Sequence, residues 1–285
     1  MFLAAAGLFL LTASPVALAA QECGSPATAI HHVQSASSHS PLVGQTVSIE
    51  GIVTYTSSHQ DGFNGFYIQQ TDAETDNDPA TSEALFVYTR RKASPGQRLR
   101  LTGVVKEFHG LTELVRVSQL THCGRAPLPE PIELSLPWPQ APESFENMRV
   151  SFKTPLTVIE HHNLARFGEL TLATVDQIIP TEYLAPGDQA VQKKLENHKH
   201  RVLLDDGKSI QDPAPIPWLY SVEDNTVRAG DQMAGVRGVL DYRFGQWRVQ
   251  PDQKPRFSRP EPRPDAPPKP SGNITRIMAL NLQNY

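Results

Sequence analysis

The sequence predicts a mostly β protein: two small barrels in tandem, joined by proline-rich linkers. Three observations lead there. Apolar and β-branched residues alternate with period two in run after run, whereas helical periodicity is scarce. The spacing from Gly103 to Gly110 recurs from Gly238 to Gly245, each time inside a hairpin-like stretch. Prolines concentrate in two stretches, 125–142 and 251–272, which read as extended, semi-rigid connectors.

Taken in order, residues 1–20 carry no charge and hold Leu8-Phe9-Leu10-Leu11 ahead of Ala17-Leu18-Ala19. An apolar run this short, ending in a small-x-small site, predicts a secretory signal peptide over 1–19 and an exported, extracellular protein. No Lys or Arg precedes the run, so the start codon is expected upstream. No later stretch is apolar enough to span a bilayer as a helix, and a monomer is expected. The net charge of −4 argues against a strongly basic nucleic-acid scaffold, while leaving room for a local basic patch. Two cysteines, Cys23 and Cys123, bracket the first module. In an exported chain an isolated pair is most simply a disulfide, and the absence of Cys-x-x-Cys speaks against a metal or redox site.

The first module occupies 20–124. Its strands are Gly44 to Tyr55, Phe63 to Gln69, Ala84 to Tyr88, and a hairpin of Gln97 to Phe108 and Leu111 to Val117 around His109-Gly110. Gly51 inside the first strand marks a bulge or bend. Five strands and one long acidic loop predict an OB-type barrel. The second module, 143–250, repeats the plan: Met148 to Glu160, Gly168 to Leu172, Arg201 to Asp205 and a closing hairpin over 230–249, with a short helix or insertion over Asp188 to His200. Residues 273–285 then open a further unit. Ile277 to Leu282 is apolar on both faces, as a central strand is, and such a strand needs neighbours. The sequence is therefore expected to be the front part of a longer protein.

Several stretches carry a family resemblance. They include Pro41 to Val47, Asp78 to Glu83, Asn163 to Leu172, Arg201 to Gly207, Gly238 to Gly245, Arg248 to Pro251 and the ending Leu280-Asn281-Leu282-Gln283-Asn284-Tyr285. Together they resemble the N-terminal region of secreted bacterial endonucleases of the endonuclease/exonuclease/phosphatase (DNase I-like) superfamily, in which YhcR-type OB modules precede the nuclease domain. The resemblance implies an extracellular, metal-dependent enzyme that cleaves DNA phosphodiesters with Mg²⁺, Mn²⁺ or Ca²⁺. Of the catalytic residues it implies, only Asn281 has a matching position, and one Asn cannot hold a metal usefully. The chain as written is expected to be inactive alone and to hold or position DNA. The other reading is a stand-alone secreted binding module without enzymatic activity.

Candidate sites within the modules follow from residue type. Asp72, Asp76, Asp78 and Glu83, with Glu74, crowd one loop and offer the oxygens that Ca²⁺ prefers; a solvated acidic loop fits the same pattern. Arg90, Arg91 and Lys92 follow the third strand, with Arg98 and Arg100 nearby. With Phe63, Phe66, Tyr67 and Tyr88 they could track a nucleic-acid backbone and stack its bases, or else be a solvated strand end beside core aromatics. His161-His162 and His198/His200 are weak zinc candidates that equally suit a surface. Asn273-Ile274-Thr275 fits the glycosylation triplet, incidental in a bacterial chain.

Overall fold

The computed structural model describes residues 22–57, 60–175, 177–219 and 225–261, together with 266 and 272. The signal-peptide reading, the terminal strand with Asn281 and the Asn273 triplet lie outside the described residues.

The first barrel comprises α1 (Ile30–Gln34), β1 (Thr46–Ser57), β2 (Gly65–Gln69), β3 (Ala84–Tyr88), β4 (Gln97–Phe108) and β5 (Leu111–Arg125). The strands close in the order β1-β2-β3-β5-β4. β1 pairs with β4 from Thr46 to Ile52 and with β2 from Ile52 to Ser57, so one strand serves both sides of the closure. Gly51 stands at that changeover, where a Cβ would meet the Gln69 carbonyl oxygen at 2.8 Å. The register slips between Val53 and Tyr55, the bulge that a coiled strand needs. Ile49, Val53, Phe66, Ile68, Leu85, Val87, Leu99 and Leu101 fill the interior, and Ile30 and Val33 of α1 pack among them. Cys23 and Cys123 form a disulfide across 100 residues, with Cα atoms 5.6 Å apart, and tie the N-terminal arm to β5.

The second unit comprises β6 (Ile132–Leu134), β7 (Arg149–Phe152), β8 (Leu156–Glu160), α2 (Leu164–Phe167), β9 (Leu170–Ala173), α3 (Asp188–His198), β10 (Arg201–Leu204), β11 (Gln232–Ala234), β12 (Arg237–Arg243), β13 (Gln246–Pro251) and β14 (Arg256–Ser258). Its nine strands run β14-β11-β8-β9-β10-β13-β12-β7-β6. β7 and β8 are one run interrupted around Pro155, and β11 and β12 are one run interrupted at Gly235-Val236. β8 pairs with β11 and β7 with β12, so the first run meets the fourth at both ends of the sheet. β10 pairs in parallel with β13 just as β3 does with β5. Counted as runs, the path is that of the first barrel. The glycine repeat has a physical basis in both. A Cβ on Gly103 would lie 2.8 Å from the Val115 carbonyl oxygen, and one on Gly238 would lie 2.0 Å from that of Gln250.

The linker readings need correction. Residues 125–142 carry β6, which pairs in parallel with β7, and residues beyond 250 carry β14, which pairs with β11. Both are outermost strands, where neighbouring prolines cost no ladder hydrogen bond. The proline-rich segments thus finish the second sheet as well as connecting modules.

Candidate functional site

The two barrels share a packed junction. β2 is buried along its whole length because both of its faces are covered. Phe66 and Ile68 point into their own barrel, while Tyr67 joins Phe63, Phe86, Leu111 and Val239 of β12 in a separate apolar cluster. Ser209 Oγ donates to the carbonyls of Asp61 and Gly62, and Gly110 at the β4–β5 tip lies against Tyr242. Arg243 is buried here: its guanidinium lies 4.2 Å from the Phe63 ring centre and 4.4 Å from that of Phe86, and its Nε donates to Asp241 Oδ2 at 2.7 Å.

Beside this junction opens a groove of roughly 720 Å³. The loop after β1 supplies Phe63 and Asn64, the end of β3 supplies Tyr88, and the β4–β5 hairpin supplies Lys106, Phe108 and Arg116. Tyr88 and Phe108 are 50 % and 42 % exposed, and the Phe108 ring is flanked by the His109 ring at 4.6 Å. Lys106 Nζ sits 4.5 Å from the Phe108 ring centre and 3.3 Å from Glu113 Oε1. Burial pushes the Glu113 carboxyl up, against the pull of Lys106.

Of the predicted basic residues, Arg90, Arg91 and Lys92 are exposed on the loop after β3. Arg91 Nη2 donates to the Ser118 carbonyl at 3.4 Å, which brings this loop beside β5 two residues from Arg116. Arg98 is elsewhere: it is held at 2.7 Å by Glu50 and at 2.7 Å by Glu74, which occupies the donors a phosphate would need. Of the aromatics proposed for stacking, Phe66 is core, Phe63 and Tyr67 are spent on the junction, and Tyr88 alone is open. Lys106, Phe108 and Arg116 escaped sequence reasoning, although Lys106 and Phe108 alternate on one face of β4 next to a glycine tip.

The predicted acidic set does not converge. Asp72 Oδ2 accepts from Glu130 N, and Asp78 Oδ1 accepts from Ala80 N. Asp76 and Glu83 turn instead toward His31 of α1. His161 and His162 are exposed on the turn before α2; His200 Nδ1 lies 3.3 Å from Thr174 Oγ1. Among the described residues, neither histidine pair joins a cluster of metal-ligating groups.

Residues 141–261 match a domain of unknown function (DUF8508). No curated protein matches this chain. The DUF8508 stretch spans the second barrel from the short turn of helix before β7 through β14, without β6. Its first residues form the buried polar seam with the first barrel. Glu146 is 0 % exposed; its Oε1 accepts from Thr112 N at 3.1 Å, Gln34 Nε2 at 3.2 Å and Asn147 Nδ2 at 3.0 Å. Burial, with Glu143 nearby, holds the Glu146 carboxyl well above the ordinary range. Burial and Glu107 push Glu143 itself up to about 7. Ser82 Oγ donates to the Glu146 carbonyl, and Arg149 N donates to Gln69 Oε1 at 2.9 Å. Deeper in the second barrel, Arg248 is buried between Asp205 and Glu169.

Proposed function

We propose that the two barrels are the DNA-holding region of an extracellular, metal-dependent endonuclease, and that DNA runs through the groove beside their junction. The observation that carries this reading is the pairing of two exposed aromatic side chains, Tyr88 and Phe108, with Lys106 and Arg116 in the groove's lining, beside the loop on which Arg90, Arg91 and Lys92 are exposed and from which Arg91 reaches the Ser118 carbonyl of β5. Aromatic faces stack bases without regard to sequence, and a cationic rim tracks phosphates. The groove is bounded by the β1–β2 loop and the β4–β5 hairpin, the two loops that OB barrels use for oligomeric ligands. Junction burial fixes the groove's walls, so a bound strand meets a preorganised surface. The cleavage chemistry, and the Mg²⁺, Mn²⁺ or Ca²⁺ for it, would belong to the nuclease domain that the resemblance implies. Asn281, the position carried over for it, is outside the described residues.

The test is fluorescence anisotropy with labelled single- and double-stranded DNA over a salt series. Tyr88→Ala and Phe108→Ala should each weaken single-strand binding by about 5- to 150-fold, the equivalent of about 1–3 kcal/mol per stacked base. Arg90→Glu with Lys92→Glu should weaken binding and flatten its salt dependence. Affinity unchanged in all of these variants would remove the groove from the reading.

A further inference from the structure

We propose that His31, Asp76 and Glu83 form a binding site for a borderline divalent cation, with Zn²⁺ the ion that its donors suit. The three residues come from α1, the β2–β3 loop and the residue before β3, and one donor atom from each lies within 4.8 Å of the others. His31 Nδ1 is 3.0 Å from Glu83 Oε2, and His31 Nε2 is 3.9 Å from Asp76 Oδ2. Tetrahedral bonds of about 2.1 Å set ligand atoms about 3.4 Å apart, so a bound cation would open the 3.0 Å His31–Glu83 contact slightly.

The imidazole itself points to a ligand. His31 is 8 % exposed, and each of its ring nitrogens faces a carboxylate oxygen. A neutral imidazole has one N–H, so its other nitrogen presents a bare lone pair to an acceptor. A buried acceptor without a donor is costly, and a cation on one ring nitrogen removes the conflict, because the other nitrogen then carries the N–H toward its carboxylate. The carboxylates are also held in place from behind. Asp78 N donates to Asp76 Oδ1 at 2.8 Å, Thr81 Oγ1 donates to Asp76, and Asp76 N donates to Glu83 Oε1 at 3.0 Å. Such outer contacts orient metal ligands. One nitrogen with two carboxylates suits Zn²⁺; Ca²⁺ wants six to eight oxygens, and Asp72 and Asp78 are turned away. A cation here would clip α1 to the β2–β3 loop.

The experiment is calorimetric titration of the disulfide-intact full chain with Zn²⁺, and separately with Ca²⁺. We expect one site per chain, with Zn²⁺ bound more tightly than Ca²⁺. Asp76→Asn should weaken Zn²⁺ binding at least tenfold, and so should His31→Gln. Asp76 is exposed, so Asp76→Asn keeps the test alive if His31→Gln does not fold. A melting temperature raised by Zn²⁺, reversed by a chelator and unmoved in Asp76→Asn would support the site. Three results would overturn it: no Zn²⁺ binding, as a protonated His31 bridging both carboxylates would give; equal binding by both variants; or Ca²⁺ binding as tight as Zn²⁺.

Discussion

Replacing Glu146 by Gln should change how stability depends on pH. The side chain is fully buried at the seam between the barrels, and its carboxyl titrates well above the ordinary range because burial penalises the anion and Glu143 adds to it. In the unfolded chain the same carboxyl titrates near its usual value of about 4.3. The folded form therefore keeps a proton that the unfolded form releases. Stability from this group is full below the unfolded value and is lost as pH rises toward the folded one. Within that window the loss is about 1.4 kcal/mol per pH unit, or about 2.7 kcal/mol over two units. Gln keeps an oxygen where Thr112 N, Gln34 and Asn147 donate, and it cannot ionise. The assay is urea denaturation of wild type and variant at half-unit steps from pH 5 upward. The stability difference, variant minus wild type, should grow with pH, and other titrating groups largely cancel in it. A difference that stays flat would mean that Glu146 is ionised in the fold and that the reasoning from burial is wrong.

Arg243→Ala removes a guanidinium stacked on Phe63 and Phe86 and leaves Asp241 buried without its partner, so it should cost about 3–5 kcal/mol in thermal or denaturant melts. Gly238→Ala puts a methyl 2.0 Å from the Gln250 carbonyl oxygen across the β12–β13 ladder, and a loss of about 3 kcal/mol in unfolding free energy, read from denaturant titration, should follow. Cys23→Ser with Cys123→Ser opens a loop of 100 residues, and denaturant titration should show a loss of up to about 4.7 kcal/mol on the chain-entropy model.

The strands were legible wherever the chain repeats a pattern locally. β1, β4 and β5 alternate long enough to be read without neighbours, and Gly103/Gly110 against Gly238/Gly245 exposed the duplication. Cys23 and Cys123 could be paired by elimination. What escaped reading depends on contacts distant in sequence. β6 and β14 are three residues each, too short to show a period, and exist because an outer strand of the sheet receives them. Tyr67 looked available for stacking because nothing nearby in the chain announces that Val239 covers it. His31 and Glu83 are 52 positions apart, so the local crowd of acids drew attention to Asp72 and Asp78 instead. Nothing in the residues around Glu146 marks it as buried; its contacts come from Gln34 and Thr112 of the other barrel.

The bond between Cys23 and Cys123 encloses nearly the whole first barrel, including the exposed β2–β3 loop around Asp76 to Ala80. A protease that cuts that loop breaks the backbone and frees nothing, because both pieces remain on one covalent molecule and within one closed sheet. Such nicked protein should migrate as a single species without reductant and as two fragments with it. Damage at this exposed loop is thereby made survivable.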